Sequence, residues 1–592
     1  ATVGGIPEFR QWLNHGTNRK LELVKSDERK VPLTFDWEGN RLLDEHLEML
    51  AKGGDGVRFT PALVFCFNRN QCWDVAERVR GKQLVTSEQK DRIAAFLKEK
   101  DYDFSTGAGA KIKQLLVRGV GIHHAGVMPK YRRIVEEMFQ NKLLSVATCT
   151  ETLAAGINLP ARSVVIPELH KGPADKRLLI DPSSAHQIFG RAGRPQFDDQ
   201  GYVFALAHED DVKISRWKEQ YDQIPANTKD PGLLKQKKKL KKKQPKRRDG
   251  KSYWTEPQFR KLIESPPGKL QSRGPLPWRL LAYLLDASPD VEPIRKLLGR
   301  RLSSPKQIAR GIETFENMLL VLHKHQFLRL DPAPPEPPEE SEEGVAVPEE
   351  ERPVYKPELA HPLDKLDILA KFRSVNPLYG YFLTEQLDIA DEDEKLQAFE
   401  SVLELPFSLG REIRVPHQRD LPPGPLATER LDARLLQLGL VSAEQLRPPT
   451  EEELEEMRER GRRNYDEERP WTLAFAEKLF TLFEYEYPAV HSVRITPVWV
   501  AGELFRYGGN FDAYINGKGL QKQEGMLFRH LLRLILLLEE FVPFPPQNID
   551  AAAWEEQLRS LAARITESCT ALDAHATQKT VEEATRRKEE VL

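Results

Sequence analysis

The chain has 592 residues, with 88 Lys and Arg against 90 Asp and Glu and a formal net charge of -2. That length calls for several domains, and the charge balance excludes a globally basic nucleic-acid binder, so any basic surface has to be local. The four cysteines, Cys66, Cys72, Cys149 and Cys569, form no CxxC pair, which argues against a zinc site or a disulfide framework and for reduced thiols in the cytoplasm. The most apolar run, Leu531 to Leu538, is too short to span a bilayer, and no signal peptide opens the chain, so no membrane partner is expected.

From residue 1 to 215, short β-rich runs alternate with amphipathic stretches. Buried strands are expected at Ala62–Phe67, Val120–His123, Leu144–Thr148, Ser163–Ile166 and Tyr202–Ala207, with helices at Cys72–Arg80 and Tyr131–Phe139 between them. This alternation predicts an α/β domain, a parallel sheet with helices on both faces, with ligands at the C-terminal strand ends. Residues 216–252 read as a basic insert, and its run Lys235–Arg248 as a solvated, mobile segment. In 253–331 the spacing of Leu280, Leu281, Leu284 and Leu285, then Phe315, Met318, Leu319 and Leu322, predicts three helices and a closing strand, suited to a winged-helix-like module. Residues 332–353 form an acidic Pro/Glu linker that cannot bury a core. Residues 354–592 are mainly α-helical, with Trp554, Leu558, Leu561, Ile565 and Leu572 on one helical face.

The segment richest in chemistry is His186–Gly201, HQIFGRAGRPQFDDQG. Arg191 and Arg194 are three apart, a spacing that on a helix puts both guanidinium groups on one face. Gly190 and Gly193 remove side-chain bulk, so a second surface can approach. Paired arginines of this kind suit phosphate oxygens. A Gly/Arg-rich surface turn is the plain alternative for the pair by itself.

His186–Arg194 resembles motif VI of superfamily 2 helicases. Thr150–Ala161, TETLAAGINLPA, resembles motif V of the Ski-like DExH-box branch, Val120–Phe139 the segment before it, and Leu63–Asn68 motif IV. Ala1-Thr2 resembles the tail of motif III, so the expectation is a chain that starts at the end of a first RecA-like domain. Gly250-Lys251-Ser252 mimics a phosphate-binding loop and Asp44-Glu45-His46 a DExH box, but neither is at a strand end, and both are set aside. The phosphate-binding lysine and the metal-binding carboxylate are therefore expected outside this chain.

The resemblance implies an ATP-dependent helicase that uses ATP and Mg2+, whose metal ligands lie in the first RecA-like domain, in cis or as a separate chain. Arg191, Arg194 and Gln187 would act at the ATP phosphates, and Gly156, Asn158 and Gly190 would shape the nucleotide-facing loops. Asn68, Arg69, His124, Thr150 and Glu151 would meet nucleic acid. The neighbouring His123 and His124 point to opposite faces of a strand, which disfavours a shared metal. Glu524–Phe541 resembles the ratchet helix of the branch, and implies nucleic-acid contacts for Arg529 and Arg533; the alternative is a core helix whose arginines pair with Glu524 or Glu540. Ile368–Phe382 and Val490–Phe511 resemble an uncharacterised C-terminal domain of bacterial Ski-like helicases. The resemblance implies single-stranded or partly duplex RNA and 3′-to-5′ movement, with DNA, or a motorless binding or scaffold fragment, as alternatives. Ser163–Asp181 reads as a short hairpin, a duplex splitter in relatives or a plain surface feature. The lysine run is a non-specific phosphate binder or merely solvated.

Overall fold

A computed structural model describes residues 4–17, 19–24, 29–54, 57–152, 159, 161–173, 176–225, 228–335, 355–406, 409, 412–447 and 472–589. The chain divides into two compact units, one formed by 1–270 with 519–526, the other by 271–518 with 527–592.

The first unit opens with α1 (Ile6–Thr17), β1 (Leu33–Glu38), α2 (Leu43–Lys52), β2 (Ala62–Cys66) and α3 (Arg69–Val79). Next come α4 (Ser87–Lys100), α5 (Gly109–Leu116), β3 (Val120–His123), α6 (Pro129–Gln140), β4 (Val146–Thr150) and β5 (Ser163–Ile166). A two-residue-per-strand hairpin, β6 (His170–Lys171) and β7 (Leu178–Leu179), leads to α7 (Pro182–Phe189), β8 (Gly201–Leu206), α8 (Glu209–Asp222), α9 (Pro231–Lys242) and α10 (Glu256–Glu264). Six strands pair in the order β1-β8-β5-β2-β4-β3, every pair parallel. This is a RecA-like sheet. Central β2 is buried along its whole length, which is why ALVFC reads as an unbroken apolar run. Edge strand β1, LTFDWE, alternates half-buried and exposed positions, and this polar alternation hid it from the sequence reading.

The basic insert differs from expectation. Instead of a mobile run, its first part is helix α9, started by the Asp230 side chain on the Gly232 N–H and by Pro231 in the first turn. Unbranched lysines are good helix formers, and α9 has a surface to rest on: the Trp217 indole of α8 donates to the Leu240 carbonyl at 2.8 Å.

In the second unit, helices Trp278–Ala287, Glu292–Gly299 and Pro305–Lys324 precede strand β9 (Leu328–Asp331). Its partner is β10 (Leu359–Pro362), antiparallel, from beyond the acidic stretch, so the linker expected at 332–353 joins two paired strands within one unit. Further along, helix Glu392–Ser401 is buried although charged. Its Glu394 accepts the N–H groups of Leu426 and Ala427, and its Glu400 those of Val500 and Ala501 at 2.6 Å each. Each carboxylate thus satisfies backbone donors at the start of another helical segment, which is what makes a buried acid tolerable. The C-terminal helix Ala551–Glu589 buries Trp554, Leu558, Leu561 and Ile565, and bends at Asp573. Among the described residues, no helix is long and apolar enough to cross a membrane.

Candidate active site and nucleic-acid interface

The motif residues collect at opposite ends of the sheet. At the C-terminal ends of β2, β3 and β4 stand Asn68, His124, Thr150 and Glu151. Exposed Asn68 caps α3 by accepting the Gln71 N–H at 2.7 Å. Arg69 beside it is half-buried, and loss of water lowers its pKa. Thr150 ends β4, its hydroxyl 3.0 Å from that of Thr152. Glu151 accepts from Lys171 of the hairpin at 3.1 and 3.3 Å, and Lys171 also reaches Asp181 at 3.3 Å. Gly156 and Asn158 lie outside the described residues.

His124 departs from its expected contact role: it is 1% exposed. Its Nδ1 accepts the Gly126 N–H at 3.0 Å and its ring lies edge-on to Trp73. Burial first, then the nearby Arg69 charge, pushes its pKa down to about 3, so the ring is neutral. His123 instead meets Glu136 at 2.7 Å. Among the described residues no group of three His, Cys, Asp or Glu side chains could hold a metal.

The arginine segment sits at the other end, by the N-terminal ends of β5, β8 and β1. Asp181 starts α7 by accepting the Ser184 N–H at 2.9 Å. Ala185, Ile188 and Phe189 of α7 are buried, while Gln187 is exposed. His186 lies 2.9 Å from the Ser265 carbonyl, tying α7 to the residue after α10. The helix stops at Phe189, so Arg191 and Arg194 do not share a helical face as their spacing suggested. The two glycines end the helix. Gly193 has φ 80°, and a Cβ there would lie 2.6 Å from Val31 Cγ1. The resulting turn is clamped to Ala161, just before β5, by Ala161 N–H to Arg191 carbonyl at 2.9 Å and Gly193 N–H to Ala161 carbonyl at 2.8 Å.

Two features of this turn were not legible in the sequence. Arg29 donates to the carbonyls of Val31 at 2.8 Å, Ala192 at 2.7 Å and Gly190 at 3.3 Å, binding the turn to the approach of β1. It belongs to no motif, and nothing in its sequence context marks it. Asp198, whose side chain is fully buried, takes a two-pronged bond from Arg194 Nε and Nη2 at 2.7 Å each, and accepts the Arg194 N–H at 2.9 Å. Burial raises the Asp198 pKa, but the Arg194 hydrogen bonds outweigh it and hold the carboxyl below its ordinary value. Arg191 is half-buried, and desolvation lowers its pKa.

The Glu-Gly start of helix Glu524–Phe541 has a packing reason. Glu524 accepts the Ala108 N–H at 2.9 Å, where α5 begins, and the Gly525 N–H reaches the Gly126 carbonyl at 3.0 Å. A Cβ on Gly525 would lie 2.4 Å from the Val127 carbonyl oxygen, so only glycine fits. Further along, Arg529 is half-buried and Arg533 exposed, its Nη1 3.5 Å from the Glu404 carbonyl. Glu540, one pairing partner considered for these arginines, accepts the N–H groups of Arg373 and Ser374 at 3.0 and 2.8 Å. Gly250–Ser252 lies in a loop and Asp44–His46 within α2, so neither occupies a nucleotide-binding strand end.

Residues 75–196 match the family described as helicase conserved C-terminal domain. The chain is 37% identical over 148 residues to the DExH-box ATP-dependent RNA helicase DExH15, chloroplastic, of Arabidopsis thaliana, covering 25% of this chain and 13% of that protein. It is 28% identical over 201 residues to the antiviral helicase SKI2 of Saccharomyces cerevisiae, covering 33% and 15%. It is 35% identical over 168 residues to the probable helicase HelY of Mycobacterium tuberculosis, covering 27% and 18%. The chain thus matches less than a fifth of the length of these relatives.

Proposed function

Because the chain carries the C-terminal domain of a Ski-like superfamily 2 helicase, we propose that it supplies the second motor domain and accessory modules of an ATP-driven helicase that moves 3′-to-5′ on RNA. The observation that carries this reading is the 190–198 turn, in which Asp198 holds the Arg194 guanidinium while the backbone is clamped by the N-terminal end of β5, with Asn68, Thr150 and Glu151 at the C-terminal strand ends. One end serves nucleotide, the other nucleic acid, and the sheet between them transmits the coupling.

In this reading Arg191, Arg194 and exposed Gln187 face the phosphates of ATP held by a first RecA-like domain, in the same chain or a separate one. Gly190 leaves that approach free of side-chain bulk, and by the resemblance Gly156 and Asn158 join it in the nucleotide-binding set. ATP supplies the phosphoanhydride whose hydrolysis drives movement. This chain contributes positive charge and orientation, the preorganised electrostatic part of phosphoryl transfer. Asp198 engages Nε and Nη2 of Arg194, so the remaining Nη1 edge is the one that meets a phosphate. Residues 186–198 do not fit Mg2+, because Arg194 occupies the one buried carboxylate there, Asp198, so the metal belongs to the first domain. Asn68, Arg69, Thr150 and Glu151 contact the nucleic-acid backbone, and Arg529 and Arg533 form a separate set of nucleic-acid contacts. The stretch 253–331 is, in this reading, a winged-helix-like module.

The test is ATP turnover by the protein carrying both motor domains, without nucleic acid and with single-stranded RNA or DNA. RNA stimulation that falls by roughly three orders of magnitude in Arg191→Ala or Arg194→Ala supports the reading. Stimulation by DNA alone moves the substrate to DNA. Turnover unchanged in both variants overturns the reading and leaves a binding or scaffold role. Unwinding of duplexes with a 3′ but not a 5′ overhang tests the polarity.

A further inference from the structure

Helix α9 lies antiparallel to α8. Lys237 reaches the Ile224 carbonyl at 3.2 Å, the Trp217 indole holds Leu240, and Arg247 forks onto Asp211 at 2.7 and 3.1 Å. Arg248 pairs with Asp210 at 2.9 Å and with Glu209. The end of the basic run is therefore fastened to the first turn of α8, at the C-terminal end of β8. That leaves Lys235, Lys238, Lys239, Lys241, Lys242 and Lys243 exposed, and among the described residues none of the six makes an ion pair. On a chain of net charge -2, this is a rigidly mounted local concentration of positive charge.

Its position is specific. Contacts run from Glu151 to the start of α8: Glu151 to Lys171, His170 edge-on to Trp254 at 6.0 Å, then Tyr253 and Arg248 meeting on Asp210; α9 joins α8 through Trp217 and Leu240. α8, which carries α9, thus starts at the end of the sheet that bears Asn68, Thr150 and Glu151, and its Ser215 and Arg216 stay there beside Asn40, next to the Trp217 that holds α9. β4 and β8 are three strands apart, about 14 Å. The 12 residues of α9 span about 18 Å, the length of roughly five phosphates on one strand. The half-buried apolar residues of α9 are Leu233 and Leu240, and Leu234, 41% exposed, is the one apolar side chain left outside. A helix that inserts into lipid needs an apolar face toward the membrane, which α9 lacks.

We propose that the lysine face of α9 is a sequence-independent binding surface for the phosphate backbone of nucleic acid, extending the footprint of the motor beyond the strand ends. This rests on the nucleic-acid reading of the Asn68 and Thr150 end. Binding energy at such a surface comes from counterion release, so it falls with salt in proportion to the phosphates engaged.

The test is binding of a fluorescent single-stranded RNA by the full chain across a salt series, without ATP. It compares the wild type, the triple variant Lys238→Gln, Lys241→Gln and Lys242→Gln, and the separate variant Asn68→Ala with Arg69→Ala. Gln keeps the helix propensity, and circular dichroism checks that the helix persists. Losing three phosphate contacts makes the log-log salt slope shallower by about 2 and weakens binding at 0.15 M salt by up to roughly fiftyfold. A wild-type slope and affinity in the lysine variant, with binding lost in the strand-end variant, overturns this inference and leaves the helicase reading intact. No RNA binding by the wild-type chain overturns both. Capture by phosphatidylserine vesicles that the lysine variant loses, with RNA affinity unchanged, assigns the surface to anionic lipid instead and also overturns it.

Discussion

The Arg194–Asp198 pair gives a sharp test of the arginine turn. Arg194→Ala leaves the fully buried Asp198 carboxylate facing one backbone N–H, whereas Asp198→Ala leaves a guanidinium that is 13% exposed and can turn partly toward water. Removing one partner of a buried ion pair costs about 3–5 kcal/mol, so the arginine variant is placed there. The aspartate variant loses charge-assisted bonds whose cationic partner keeps some water, about 1.5–3 kcal/mol. The double variant removes both charges and is more stable than the sum of the singles, with a coupling of about 2 kcal/mol. Hydrogen exchange of the peptides covering β5 and β8 reads the opening free energy of this unit without requiring the whole chain to unfold in one step. The pH dependence has a definite sign. Asp198 has a folded pKa below its ordinary value, so its stabilisation is full above the unfolded pKa and is lost as pH falls through the folded one. Additive single-variant effects, with coupling below about 0.5 kcal/mol, would refute the claim that Asp198 holds Arg194.

Three further outcomes follow from the geometry. Gly193→Ala must place a Cβ 2.6 Å from Val31 Cγ1 at φ 80°, and is expected to cost about 2–4 kcal/mol in the same exchange measurement; a neutral result rules out the tight turn. Gly525→Ala meets the Val127 carbonyl oxygen at 2.4 Å and is expected to undock residues 519–526, seen as faster exchange at Gly109–Leu116 and easier proteolysis near Lys522. His124, with a folded pKa of about 3, stays neutral in the folded state through pH 5 to 8, so its ring resonances do not titrate there. The unfolded chain takes up that proton near pH 6.5, so the His124 contribution lowers stability by about 1.4 kcal/mol per pH unit below that value. His124→Gln flattens the decline.

The domain type is written in the sequence, through the apolar strands and the alternation of β and α elements. Central β2, β4, β5 and β8, and the buried edge strand β3, are apolar because both faces of the parallel sheet are covered there, and that composition is visible in one dimension. Motif VI was legible because its glycines and arginines are contiguous, but their spacing misled about local geometry. The spacing suggests a helical face, but the helix stops at Phe189 and Gly193 turns the chain. Edge strand β1 is hard to see in one dimension because its exposed side gives it polar alternation, and the lysine run looks mobile because the surface that stabilises α9, Trp217 and the acids of α8, lies elsewhere in the chain. Tertiary structure alone decided the partners: Arg29 on the Gly190 and Ala192 carbonyls, Asp198 on Arg194, Glu524 on the Ala108 N–H, and His124 buried rather than presented to a ligand. Each such contact depends on where the sheet brings distant segments together, and on how much water it leaves there. Local pattern carries neither quantity.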